Sequence, residues 1–269
     1  MLIVVKMGGS ILNQEFSPAL VSDIKNVVSG NRVVLVHGGG AEVTDVASKL
    51  GKQQEFVVSP GGFSSRYTDK ETIEIYTMVM VGKINKQIVW ALQNKGIQAV
   101  GLSGLDGRLV QAKRKERLIV VDSRGRKKVV DGGYTGKISD VNVNLLDTLL
   151  QNGYVPVVAP VAIGEQSEPL NIDGDRTAAY IAGYLKADRL ILLTDVEGLI
   201  LNGKVVSKLN ILDAKDLLPN IGRGMITKVN AATEALKMGV VEVIISSGLT
   251  KLPISSPLRH ECGTVITNE

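Results

Sequence analysis

Apolar, largely β-branched runs of four to six residues recur along the chain at 2–5, 33–36, 155–158, 190–193 and 240–245. They lack the strict alternation of a one-sided sheet and are separated by stretches with helical spacing. They therefore read as strands buried on both faces of a mainly parallel sheet. The helical stretches cover roughly 17–30, 40–50, 68–95, 140–152, 174–186, 213–219 and 227–239, and the pattern as a whole is that of an α/β protein. In the third stretch Thr68 and Glu71 predict a capping box and Gly96 a C-cap. Its middle (Ile73, Ile75, Tyr76, Met78, Val79, Met80, Val81) is apolar on more than one face. Such a helix is buried on several sides within one subunit or packed against a second copy. A homodimer through 68–95 is the favoured expectation.

Composition narrows the classes. At 269 residues the length prior gives one large domain or two lobes. No repeat, low-complexity tract or Pro/Ser-rich linker separates them, so any lobes share one sheet, with a boundary near 165. No apolar run reaches the ~18 residues of a membrane span, and the opening run is too short for a signal peptide. A cytoplasmic location is expected. A single cysteine, Cys262, and two histidines argue against a disulfide framework and a His/Cys zinc site. The net charge of +4 is too mild to name a partner until it is resolved along the chain.

Two glycine clusters follow predicted strands: Lys6-Met7-Gly8-Gly9-Ser10, and His37-Gly38-Gly39-Gly40 ahead of the helix from Ala41. Consecutive glycines let backbone amides approach an anion, and the helix adds its N-terminal dipole. Neither cluster has P-loop or dinucleotide-fingerprint spacing. Three more segments sit at strand ends or helix starts: Asn171-Ile172-Asp173-Gly174-Asp175, Thr194-Asp195-Val196-Glu197-Gly198, and Gly222-Arg223-Gly224-Met225 leading to Lys228.

In order and spacing these five segments resemble the amino-acid kinase family, in its acetylglutamate-kinase branch, over essentially the whole chain. The resemblance implies an αβα sandwich with a central, mostly parallel sheet of about eight strands. It implies a phosphoryl-acceptor lobe (1–165), a nucleotide lobe (166–269), and ATP-dependent transfer to a carboxylate giving an acyl phosphate. Lys6 and Lys228 would stabilise the transferring group from either lobe, oriented by Asp175. Mg²⁺ would be held through ATP, with no metal ligands from protein side chains. Gly8, Gly9, Ser10, Thr194, Asp195, Gly198, Gly224 and Met225 would line the nucleotide site. Arg66, in Ser64-Ser65-Arg66-Tyr67, would grip the acceptor's α-carboxylate. Asn171 would meet its α-nitrogen, and the amides of Gly38, Gly39 and Gly40 its side-chain carboxylate. Ser65 and Tyr67 are candidates for choosing the acceptor's length.

Two segments depart from enzymes acting on free N-acetylglutamate: 63–67, and 131–138 with its Asp131-Gly132-Gly133-Tyr134-Thr135-Gly136 run. Both resemble the subgroup that phosphorylates aminoadipate or glutamate linked through its α-amino group to LysW, a small acidic amino-group carrier protein, in lysine and, in some members, arginine biosynthesis. Charge points the same way. Residues 113–128 hold eight basic side chains (Lys113, Arg114, Lys115, Arg117, Arg124, Arg126, Lys127, Lys128) against Glu116 and Asp122, more than the entire positive excess. The apolar 118–121 and the turn at 122–125 suggest a projecting hairpin with both arms basic. Docking of an acidic carrier and a plain solvated edge hairpin both stand as readings. Nucleic acid fits poorly, since no aromatic interleaves the basic segment. The rival acceptor is free N-acetylglutamate; carbamate or nucleotide acceptors match Arg66 and Asn171 less well, and a silent nucleotide-binding regulator need not keep both lysines. The arginine-inhibited members carry a helix ahead of the first strand; here that strand opens at Leu2, so arginine feedback through such a helix is not expected.

Overall fold

The computed structural model describes residues 1–12, 17–213 and 221–268. In chain order its strands are β1 (Leu2–Met7), β2 (Arg32–His37), β3 (Phe56–Val58), β4 (Ser64–Arg66), β5 (Ala99–Ser103), β6 (Val110–Arg114), β7 (Arg117–Val121), β8 (Lys127–Asp131), β9 (Gly136–Val141), β10 (Val155–Ala159), β11 (Val161–Ile163), β12 (Pro169–Asn171), β13 (Arg189–Thr194), β14 (Ile200–Leu201), β15 (Lys204–Val205), β16 (Lys208–Asn210), β17 (Glu242–Ser247) and β18 (Thr264–Thr267). Its α-helices are α1 (Pro18–Val28), α2 (Gly40–Lys49), α3 (Lys70–Thr77), α4 (Asn85–Gln93), α5 (Val143–Gln151), α6 (Gly174–Tyr184), α7 (Arg223–Lys237) and α8 (Ser255–Leu258).

An eight-stranded sheet runs in the order β16-β18-β17-β13-β1-β2-β10-β5. From β17 to β5 every neighbouring pair is parallel, while β18 lies antiparallel to β17. The absence of one-sided alternation has a direct cause, because both faces of the central strands are covered. Along β1, Val4 joins a core with α5, α6 and α7, whereas Ile3 and Val5 join the opposite core with α1, α2, α3 and α4. Successive side chains of a strand point to opposite faces, so a doubly covered strand must be apolar throughout. In an open parallel sheet, ligands gather at the carboxyl ends of the strands. That edge here carries Lys6, His37 and Thr194.

A smaller sheet, β12-β11-β6-β9, and the two-stranded pairs β3–β4 and β14–β15 were not legible as strands in the apolar runs, whereas the hairpin expected around the turn at 122–125 is β7–β8. The expected helix at 68–95 is α3, a π-helical stretch (Met78–Ile84) and α4. The capping prediction is corrected. Asp69 is the N-cap, its carboxylate accepting from Thr72 N at 2.8 Å, while Thr68 Oγ1 donates to Arg66 O and accepts from Asn171. Of the helix expected at 213–219, residues 214–219 lie outside the described residues. The helix expected from 227 begins at Arg223, which places Lys228 beyond the first turn rather than in it. No helix among the described residues is long and apolar enough to cross a membrane.

Candidate active site

Lys6 is the penultimate residue of β1, and Asp175 lies in the first turn of α6, whose N-cap Asp173 accepts from Arg176 N at 2.9 Å. Lys228 reaches in from α7. Asp175 Oδ1 is 2.7 Å from Lys6 Nζ, a contact with the geometry of an ion pair and not of an aligned hydrogen bond. Asp175 Oδ2 accepts from Lys228 Nζ at 3.0 Å. Burial alone would raise the Asp175 carboxyl, but the two ammonium groups outweigh it and hold it below the ordinary carboxylate range. Asp173 is displaced the opposite way: enclosed by protein though open to water in the cleft, it is raised by desolvation and then by the charge of Asp175. The side chains of Lys6, Lys228 and Asp175 are 9, 12 and 5% exposed, so bulk water screens this +1 cluster weakly.

Beside Lys6 the two glycine turns touch. A methyl group on Gly38 would stand 2.8 Å from Gly9 N, so only glycine permits this approach. Gly39 has φ +148°, and a methyl there would collide with Ile84 of the π-helix, whose Met80 packs against it as well. Gly38 N–H donates to Met7 O at 2.8 Å, which removes it from the expected anion-binding trio. The N–H groups of Gly39 and Gly40 have no acceptor among the described residues and open the N-terminus of α2. Their position is set by a residue not singled out in the sequence. His37 is fully buried, and burial, aided by the Lys6 and Lys86 charges, pushes its imidazole down to about 4. The neutral ring is assigned its proton on Nδ1, which faces Gly38 O at 2.9 Å, leaving Nε2 to accept from Asn85 at 3.3 Å.

The cluster separates two clefts. One, about 370 Å³, is lined by Lys6, Gly38, Gly39, Gly40, Ser65, Arg66, Asn171 and Asp175, with Lys115 and Arg176. The other, about 470 Å³, is lined by Ser10, Thr194, Asp195, Gly198, Gly224, Met225 and Lys228, with the apolar Val196, Ile200 and Ile221. The first is rich in charge; the second offers apolar and glycine surface to a flat ring and one ammonium group at its inner end.

Residues 1–247 match the family described as the Amino acid kinase family. The chain belongs to the amino acid kinase family. A Sulfolobus acidocaldarius protein named LysW-aminoadipate/LysW-glutamate kinase is 46% identical over 98% of this chain and 100% of its own. A Cenarchaeum symbiosum protein, named a candidate for the same activity, is 55% identical over 98% and 99%. The solved structure of smu.665 from Streptococcus mutans superposes with a TM-score of 0.79 at 26% identity, over 100% of this chain and 99% of that one.

In this amino acid kinase the remaining sequence candidates divide by geometry. Tyr67 does not line the acceptor cleft; its ring lies by Gly133. Asn171 Nδ2 donates to Thr68 Oγ1 at 3.0 Å. Arg66 stacks over Phe56 and is already engaged: Nη2 donates to Gly40 O at 2.7 Å and Thr44 Oγ1 at 2.9 Å, and Nη1 donates to Gln54. With both Nη2 hydrogens used, a bidentate grip on a carboxylate requires exchanging one of these bonds. The basic segment is also redistributed. Lys113 and Arg114 end β6, which pairs with β9; the hairpin proper is β7–β8. Arg114 is fixed over Tyr134, its Nε donating to Gly133 O at 2.6 Å, and Arg126 pairs with Asp122 at 2.9 Å. Lys115 turns into the acceptor cleft. Arg117, Arg124, Lys127 and Lys128 stay exposed, and the directly paired Ile119 and Val129 are 55 and 63% exposed between them.

Proposed function

We propose that this chain transfers the γ-phosphoryl group of ATP to the side-chain carboxylate of aminoadipate or glutamate carried through its α-amino group by an acidic LysW-type protein. The observation that carries the reading is the Lys6–Asp175–Lys228 cluster, buried between a charged cleft and a glycine-lined apolar one. Donor, acceptor and transferring group are all anionic, so catalysis requires positioning and neutralisation rather than covalent chemistry. Asp175 holds the two ammonium groups apart, Lys6 facing the acceptor cleft and Lys228 the nucleotide cleft. The free N–H groups of Gly39 and Gly40 orient the attacking carboxylate, and Arg66 and Asn171 bind around its α-carbon. The second cleft suits ATP: Val196, Ile200 and Ile221 against the base, Lys228 toward the phosphates. Among the described residues no group of three or more His, Cys, Asp or Glu is placed to hold a metal, so Mg²⁺ would enter with the phosphates of ATP.

The names of the relatives and the hairpin support a carrier-bound acceptor. Arg117 and Lys127 share the hairpin face of Ile119 and Val129, with Arg124 at the turn and Lys128 on the opposite face, so an apolar pair is edged by positive charge, suited to an acidic protein. On the helical face at 70–93, Met78 and Trp90 are 58 and 68% exposed, and a second copy of the chain packed there would cover them.

A coupled ATPase assay with carrier-linked aminoadipate, carrier-linked glutamate and free N-acetylglutamate tests the reading. Turnover of a carrier conjugate, reduced by about 100-fold in kcat/KM at low salt when Arg117, Arg124, Lys127 and Lys128 are changed to Glu, is the expected result. Turnover of N-acetylglutamate alone would overturn it in favour of the free acetylated acceptor.

A further inference from the structure

The acceptor cleft contains a hydroxyl that no other group of the resting protein engages. Tyr76 lies on α3 one turn ahead of Met80 in the π-helical stretch, and both side chains line the cleft. Met80 packs against Gly39, so Tyr76 stands on the wall that runs from the Gly39–Gly40 amides toward Arg66. Only 6% of Tyr76 is exposed, and a phenol buried to this extent ordinarily finds a hydrogen-bond partner. Among the described residues its hydroxyl has none, and the oxygen is not among the unpartnered atoms sealed from solvent, so it opens on the cleft. Burial pushes its pKa well above the ordinary tyrosine value, which keeps the proton in place for donation. The Arg66 guanidinium is the stronger of the two charges acting on it, ahead of Asp173.

Arg66 supplies the reason for a second donor. Each pairing through which a guanidinium grips a carboxylate with two hydrogens includes Nη2. Both Nη2 hydrogens of Arg66 already serve Gly40 O and Thr44 Oγ1, so in this arrangement Arg66 offers an incoming carboxylate one bond at a time. Giving up the Gly40 bond would release the loop whose free amides face the cleft. We propose that Tyr76 is a substrate-binding residue for the acceptor: its hydroxyl donates to the α-carboxylate beside Arg66, which keeps its bonds to Gly40 and Thr44. The site thereby selects for an α-carboxylate without disturbing the glycine loop. The proposal rests on the amino-dicarboxylate acceptor of the reading above, and it holds whether the α-nitrogen carries a protein or an acetyl group.

Tyr76→Phe removes the hydroxyl and keeps the ring. Because the hydroxyl has no partner in the resting protein, Y76F should melt no lower than wild type, whereas a structural role predicts a clear fall in Tm. Steady-state assays compare the accepted acceptor with its counterpart lacking the α-carboxylate, 5-aminopentanoate for aminoadipate or 4-aminobutanoate for glutamate, on the same carrier or acetyl group. Y76F should raise KM for the intact acceptor about 10- to 100-fold, the range of one hydrogen bond to a charged group, with the loss in KM rather than kcat. For the counterpart, KM, or Ki against the intact acceptor, should not change. An unchanged KM for the intact acceptor overturns the proposal, as does a loss confined to kcat or a fall in Tm. So does an equal loss for both compounds, which would place the hydroxyl on the attacking carboxylate. Turnover of N-acetylglutamate alone would overturn the carrier-bound reading, while N-acetylglutamate against 4-acetamidobutanoate still decides Tyr76. Turnover of no acceptor would overturn both.

Discussion

Asp175→Asn isolates the electrostatics of the site. The substitution keeps size and shape but removes the one negative charge between two ammonium groups that stand 2.7 and 3.0 Å from its oxygens. All three side chains are nearly inaccessible, so the +1 cluster becomes +2 with little screening. Removing one partner of a buried ionic arrangement costs about 3–5 kcal/mol. At about 2–4 °C per kcal/mol for a chain of this size, the Tm should fall by roughly 10 °C at pH 7. Because a triphosphate is itself a counter-charge, ATP should raise the Tm of the variant more than that of the wild type. Turnover should drop by about 10²–10³-fold, since the ammonium groups lose the carboxylate that aims them. Differential scanning calorimetry with and without ATP, and steady-state turnover of whichever acceptor is accepted, measure both effects. The sign with pH is fixed. The folded-state pKa of Asp175 lies below its unfolded value, so its stabilisation is complete above about pH 4 and is lost as pH falls through the depressed folded value. A variant with Tm within 2 °C of wild type, or kcat within threefold, would refute the assignment of Asp175 as the buried counter-charge.

Lys6→Ala and Lys228→Ala should each lower kcat by at least ~10²-fold, the scale of one preorganised donor, and near-normal kcat in either would remove that lysine from the mechanism. His37, whose pKa is pushed down to about 4 from 6.5, contributes stability that is full above pH 6.5 and drains as pH falls toward 4. The loss amounts to about 3 kcal/mol, and urea unfolding across this range should show it for wild type but not for His37→Asn. Met78→Glu with Trp90→Glu should convert a homodimer to monomer by light scattering at micromolar protein, and a wild-type monomer would exclude that interface.

The chain's local pattern determined the parallel sheet, because strands covered on both faces must be apolar at every position, and that signature needs no partner to be visible. The glycine turns were legible at the ends of predicted strands, whereas Lys6, Asp175 and Lys228 were singled out through the family resemblance, and the fold brings their side chains together. The short strands β3, β4, β6, β9, β11 and β12 were not legible, because β4, β6, β9 and β12 mix apolar and polar residues while β3 and β11 are apolar runs of only three residues. Only the tertiary structure decided what the eight basic residues of 113–128 do. It pins Arg114 on Tyr134, pairs Arg126 with Asp122, brings Lys115 to the acceptor cleft, and leaves Arg117, Arg124, Lys127 and Lys128 exposed on the hairpin, Arg117 and Lys127 on the face of Ile119 and Val129. It also showed that Gly38 N–H is engaged, that Tyr67 stands off the cleft, and that a buried neutral His37 shapes the glycine loop. The reason is the same in each case. A sequence fixes which groups exist and how they repeat along the chain, whereas a charge acquires its role from the dielectric and partners around it, and these come from residues far away along the chain.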